Sequence, residues 1–240
     1  MAQEDAPQRV LLKLSGSTFA GKSGSPFDEN AIAFIAGELR DASRAPVQMA
    51  VVVGGGNIIR GARFCPTGPG RISADHAGML ATVINTLVLR DRLRCLDVLV
   101  SHYCAFAVPR MAEAFQPDRC VGDLEAGKVV LLAGGTGNPL LTTDTAAALR
   151  AVEIGADMVL KATRVAGVYS SDPERHPDAR IFERVSFREM LERKLAVMDL
   201  TAVSFCLEHS LPVRVFNFAV KGNIRRAAAG EPIGTLIGES

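Results

Sequence analysis

Three glycine-rich segments are the parts of this 240-residue chain best suited to chemistry: Lys13-Leu14-Ser15-Gly16, Gly54-Gly55-Gly56-Asn57 and Gly134-Gly135-Thr136-Gly137-Asn138-Pro139. Each follows a Val- and Leu-rich run that reads as a strand, and glycines at strand ends let backbone N–H groups approach an anion closely. One such loop is as readily a tight turn; three together point to a long, phosphate-bearing ligand. Lys13 stands on the edge of the first strand, Arg60 beyond the second, Thr142, Thr143 and Asp144 open a helix, and Lys161 ends a strand. This is the inventory of phosphoryl transfer. Its transition state spreads charge over the transferring oxygens, so catalysis is mostly positioning plus stabilisation by cations and N–H groups, with magnesium bridging the phosphates.

The elements that must position these groups follow from periodicity. Apolar runs at 10–14, 48–53, 98–100, 128–133, 158–162 and 213–216 read as strands. Runs as continuous as Met49-Ala50-Val51-Val52-Val53 suit strands buried on both faces of a mainly parallel sheet, which helices must cover. Helices are predicted at 28–42, with Asp28 as N-cap, and at 74–93, where Met79, Leu80, Val83, Ile84 and Leu87 recur at helical spacing. Others fall at 144–154, 186–193, 199–210 and 223–229, and 171–179 is a polar loop with two prolines. The expected fold class is α/β: a single three-layer α/β/α domain with a mainly parallel central sheet and two lobes around a crevice, the loop 170–180 being the best boundary between lobes.

Composition narrows the partners. Lys and Arg number 27 against 26 Asp and Glu, with no Trp and 2 Tyr, so neither a basic field nor base-stacking aromatics favour nucleic acid. Five cysteines without CxxC spacing argue against a disulfide framework or a zinc knuckle and fit a reducing cytoplasm. The polar N-terminus and the lack of about 18 consecutive apolar residues predict a soluble, unexported protein with no membrane partner.

Two motif matches mislead. Gly16-Ser17-Thr18-Phe19-Ala20-Gly21-Lys22-Ser23 satisfies the Walker A pattern, but Gly24, Ser25 and Pro26 should prevent the helix that a P-loop must start at its Lys-Ser end. Leu195-Ala196-Val197-Met198-Asp199 imitates Walker B without an obvious strand. The dinucleotide fingerprint fails as well, since Gly54–Ile59 and Gly135–Leu140 lack the third glycine.

With these residues in view, the chain resembles the bacterial-type uridylate (UMP) kinases of the amino acid kinase superfamily over nearly its whole length, 1–240 forming one amino acid kinase-like domain. The likeness runs through Lys13–Gly16, Gly54–Gly61, Asp75-His76-Ala77-Gly78-Met79-Leu80-Ala81-Thr82, Gly135–Arg150, Lys161-Ala162-Thr163, Val197-Met198-Asp199 and Val215-Phe216-Asn217. Its most specific stretch is Thr136-Gly137-Asn138-Pro139-Leu140-Leu141-Thr142-Thr143-Asp144. The resemblance implies transfer of the γ-phosphoryl group of ATP to UMP in pyrimidine nucleotide biosynthesis. It implies an acceptor lobe at roughly 9–160 and an ATP lobe at roughly 161–240. Lys13, Leu14, Ser15, Gly16, Gly56, Arg60, Lys161, Thr163, Tyr169 and Asp172 would then serve ATP, and Gly55, Asp75, Thr136, Gly137, Asn138, Pro139, Leu140, Leu141, Thr142 and Thr143 would serve UMP. Lys13, Arg60, Asp144 and Asp199 would be catalytic. Magnesium would be carried mainly by ATP, with no protein metal ligand. The family pattern further implies a cytoplasmic homohexamer with GTP as activator and UTP as inhibitor.

The chain departs from the family at Ser17, where Glu is usual, at Ala166, where Asp is common, and over 101–106. Three other readings compete: a kinase of the same fold acting on a carboxylate or carbamate, a non-catalytic oxyanion-binding or storage protein, and a Walker-type nucleotidase. Asp75 and the Thr-Gly-Asn-Pro loop favour a nucleotide acceptor over the first, and Lys13, Arg60 and Asp144 favour catalysis over the second.

Overall fold

The structure, a computed structural model, describes residues 8–21, 25–60, 67–171, 176, 178–195 and 197–239. Among the described residues nine strands form one sheet: β1 (Arg9–Leu14), β2 (Gln48–Val53), β3 (Val100–Cys104), β4 (Glu113–Ala114), β5 (Val129–Ala133), β6 (Met158–Thr163), β7 (Arg184–Ser186), β8 (Val213–Asn217) and β9 (Thr235–Gly238). Their order is β4-β3-β5-β2-β1-β6-β8-β9-β7. All neighbours are parallel except β8 and β9, so β9 and β7 make a reversed edge.

Alternation along the strands sends successive side chains to opposite faces. Leu11, Ala50, Val52, Val130, Leu132, Val159 and Val213 pack on one face. There they meet α3 (Pro117–Glu125), α4 (Thr143–Glu153), α5 (Phe187–Glu192) and α6 (Leu200–Glu208), through residues such as Leu124, Ala147, Met190 and Cys206. Val10, Leu12, Leu14, Val51, Val53, Leu131 and Leu160 pack on the other. Helices α1 (Glu29–Ser43), α2 (Pro69–Arg94) and α7 (Asn223–Ala228) cover that face with Ile35, Leu39, Leu89, Leu93 and Ile224. The three-layer α/β/α arrangement expected from the sequence is therefore present, and β1 joins its two halves by pairing with both β2 and β6.

The differences from expectation are local. The third strand lies at Val100–Cys104 rather than 98–100, because Ser101 and His102 break the apolar run although His102 is buried and hydrogen-bonded to Thr86 at 2.8 Å. Helix α2 begins at Pro69, five residues early, with proline in its first turn after Gly68 at φ +78°. Helix α3 and the short strands β4, β7 and β9 carry too few periodic residues to be legible. Among the described residues, Gly70–Arg94 is the one helix long and apolar enough to cross a membrane. It packs against α1, β2, β3 and β5, and Thr82, Asn85 and Thr86 on its buried side bond to Gly134 N–H, Gly54 carbonyl and His102.

Candidate active site

Parallel strands deliver their carboxyl ends to one edge of the sheet, and that edge collects the glycine loops. The loops touch by their backbones. A Cβ on Gly16 would lie 2.7 Å from both Gly54 O and Gly56 N, and one on Gly55 would lie 2.5 Å from Gly78 O of α2. The amide pair Asn57 and Asn85 braces this junction, with Asn85 Nδ2 donating to Gly54 O and Asn57 Oδ1 at 2.7 Å each. Ser15 caps the 3-10 turn Gly16–Thr18, and the next described helix starts only at Glu29 behind its N-cap Asp28. Residues 21 and 25–28 are not helical, so a helix does not lead from the Walker-like segment; Lys22 and Ser23 lie outside the described residues. The Walker B look-alike has no strand in its described residues.

Strand register explains the charged centre. Lys13 pairs with Lys161 across β1 and β6, so both side chains leave adjacent strands on the same face, towards the first turn of α4. Asp144 in that turn meets both, with Lys13 Nζ 2.8 Å from one carboxylate oxygen and Lys161 Nζ 2.5 Å from the other. The three side chains are 13%, 7% and 14% exposed, so these are nearly desolvated charges. Burial alone would raise the Asp144 carboxyl, but the two ammonium groups hold it below its ordinary value. Burial and the neighbouring Lys13 push Lys161 down to about 8, against the opposing pull of Asp144.

Asp199 stands one layer behind. It is the N-cap of α6, accepting from Ala202 N at 2.9 Å, and its carboxylate also accepts from the hydroxyls of Thr142 and Thr145. Thr142 is itself the N-cap of α4. Asp199 thus ties two helix starts together and fixes the turn that carries Asp144. Thr145 was not anticipated from the sequence; a hydroxyl next to Asp144 and ahead of three alanines was its only signal.

The segment 134–143 arches over the same edge, with Gly134, Gly135, Gly137 and Leu140 at positive φ. Asp75 on α2 accepts from Leu140 N at 2.9 Å and pairs with Arg71, while Thr136 Oγ1 accepts from Asn138 N. Pro139 carries no N–H, Leu140 and Leu141 are exposed at 60% and 46%, and Thr143 Oγ1 lies near Gly54. Arg60 is exposed and folds back onto Gly56 O at 3.1 Å. Leu14 is buried and contributes its carbonyl to Gly54 N. Thr163 donates its hydroxyl to the Val165 and Phe216 carbonyls. Tyr169 lines a cavity of about 450 Å³ with Val165, Ser170, Arg193 and Lys194. Asp172 lies outside the described residues. Ser17 donates to Ser15 and accepts from Arg164, and Ala166 is exposed.

No group of three or more His, Cys, Asp or Glu side chains among the described residues is placed to hold a metal ion. The carboxylates nearest the centre are engaged by lysines, hydroxyls or backbone amides.

A mainly parallel three-layer fold with glycine loops and a Lys–Asp–Lys centre at its carboxyl edge defines a class, and the chain belongs to it: the amino acid kinase family model matches residues 8–217. Within that family it is similar to the UMP kinase of Bacillus anthracis, with a TM-score of 0.94 and 34% identity over 98% of this chain and 97% of the other. The UMP kinase of Ureaplasma parvum gives 0.89 and 31% over 97% and 99%, and the uridylate kinase of Archaeoglobus fulgidus 0.69 and 28% over 95% and 99%.

Proposed function

We propose that this protein is an ATP-dependent UMP kinase, making UDP and ADP. The observation that carries the reading is the register-matched pair Lys13 and Lys161, held by Asp144 at the convergence of three glycine loops, in a chain similar over nearly its full length to UMP kinases.

An oxygen of the acceptor phosphate attacks the γ-phosphorus in line as the bond to the β–γ bridging oxygen breaks and ADP leaves. The acceptor is already an anion, so no side chain has to remove a proton. Lys13 and Lys161 supply positive charge where the transferring oxygens gather it, and Asp144 orients both ammonium groups. The 134–143 segment offers N–H groups to the acceptor phosphate. Asp75 already accepts from Leu140 N–H and retains lone pairs for ribose hydroxyls. Ser15, Gly16, Gly56 and Arg60 face the ATP phosphates, and the cavity beside Tyr169 takes the base. Magnesium enters as part of the MgATP substrate, held by nucleotide oxygens and water.

The same reading places the enzyme in the cytoplasm, in pyrimidine nucleotide synthesis, as a homohexamer activated by GTP and inhibited by UTP. Leu80 and Ile84, one turn apart and 50% and 44% exposed on α2, suit a subunit contact. The test is ADP formation by the purified protein with MgATP and, separately, UMP, CMP, dUMP, AMP, glutamate or carbamate. UMP-dependent turnover is expected. Turnover with a different acceptor alone, or ATP binding with no turnover, overturns the proposal.

A further inference from the structure

We propose that Arg150, six residues beyond Asp144 on α4, is a positioning residue that holds the acceptor loop in its working shape. Its role in UMP use rests on the kinase reading above; its grip on the loop does not.

Arg150 is 6% exposed and sits in an alanine-rich stretch, Ala146-Ala147-Ala148 before it and Ala151 after. A buried guanidinium is costly unless its charge and donors are answered. Glu153, one turn on, answers the charge at 2.5 Å, and the Phe115 ring lies under the guanidinium carbon at 4.2 Å from its centroid. The other terminal nitrogen is turned towards the loop. Nη2 is shared between the carbonyls of Gly135 and Thr136 at 3.3 and 3.4 Å, fifteen and fourteen residues earlier in the chain. A helix-surface ion pair needs neither the ring nor those carbonyls.

The two carbonyls set the loop's polarity. A trans peptide carries its C=O and N–H on opposite sides, so drawing the Gly135 carbonyl to Arg150 turns the Thr136 N–H away from it. The Gly137 N–H closes a turn onto Gly134 O at 3.0 Å, with Gly134, Gly135 and Gly137 in the left-handed region. Asp75 fastens the far end through Leu140 N–H. One buried cation and one carboxylate therefore grip a glycine-rich arch that would otherwise sample many backbone states. Arginine suits the first role because its planar fork serves a carboxylate, a ring face and two carbonyls together, as a lysine ammonium does not.

The test uses the full chain with Arg150→Met, Arg150→Lys and Glu153→Gln. Amide hydrogen exchange of the free protein over 134–141 should accelerate on the order of tenfold in Arg150→Met, with β1 and α1 unchanged. KM for UMP should rise on the order of tenfold while KM for ATP stays within about twofold. Arg150→Lys should fall between Met and wild type, and Glu153→Gln should keep the wild-type KM for UMP. Wild-type exchange over 134–141 in Arg150→Met overturns the proposal, as does Glu153→Gln reproducing the Arg150→Met changes, since the ion pair alone would then be responsible. Should Arg150→Met not fold, Arg150→Lys carries the same exchange comparison. A wild-type enzyme that ignores UMP would defeat the kinase reading and leave the exchange result to decide the role of Arg150.

Discussion

Asp144→Asn removes the one anion between two nearly buried lysines while keeping the side chain's shape. Lys13 and Lys161 leave adjacent strands in register, so their ammonium groups would face each other across roughly 5 Å, a repulsion of about 3 kcal/mol at an effective dielectric near 20. Burial and Lys13 hold Lys161 down to about 8 even with Asp144 in place, so giving up its proton at pH 7 costs about 1.4 kcal/mol there and less once the carboxylate is gone. Deprotonation is the cheaper response. The variant should therefore lose about 1–2 kcal/mol of stability, less than the 3–5 kcal/mol typical of a stranded buried charge. Its catalytic loss should be larger, about 2–4 kcal/mol in barrier, because a cation is neutralised and both lysines lose their guide. In the wild type, kcat/KM for ATP should decline as pH rises past about 8, where free-enzyme Lys161 loses its proton; in the variant the decline should move well below neutrality. Urea melts at pH 7 and steady-state kinetics from pH 5.5 to 9 measure both. A variant with wild-type kcat/KM and an unmoved alkaline limb would refute the electrostatic account of the centre.

Lys13→Ala should raise the barrier by about 2–4 kcal/mol without unfolding the protein, whereas Lys22→Ala should be mild; kinetics giving the reverse ranking would restore the P-loop reading. Asp75→Ala removes the acceptor of Leu140 N–H and should raise KM for UMP well above any change for ATP, and equal losses for both substrates would contradict the acceptor site. Burial, with Arg90 and Arg94 nearby, pushes His102 down to about 4. Between pH 6.5 and 4 the unfolded chain takes up a proton that the folded chain refuses, so stability falls with pH in that window by up to about 3 kcal/mol. Denaturation of His102→Gln should show a shallower acid dependence, and an unchanged slope would assign the loss to other groups.

Much of this molecule could be read from local signals. Continuous apolar runs marked the core strands and the 3.6-residue period marked most helices, since burial on two faces or on one imposes those patterns wherever an element is long enough to show them. The glycine loops, Lys13, Asp144 and Lys161 were visible because phosphate chemistry restricts residue types at strand ends. That Lys13 and Lys161 are neighbours, and that one aspartate serves both, was decided by the register of β1 against β6, which joins residues 148 apart in a way no local pattern encodes. Asp199 was placed near the site only by the family resemblance, and only packing shows it binding two helix starts together. The true extent of strand β3 and the whole of helix α3 escaped for the same reason: His102 and Cys120 belong to the interior only because partners elsewhere in the chain meet them there. Arg150 shows the division most plainly. Its identity was written among alanines, but its meaning lay in a loop, a ring and a carboxylate that the fold alone assembles around it.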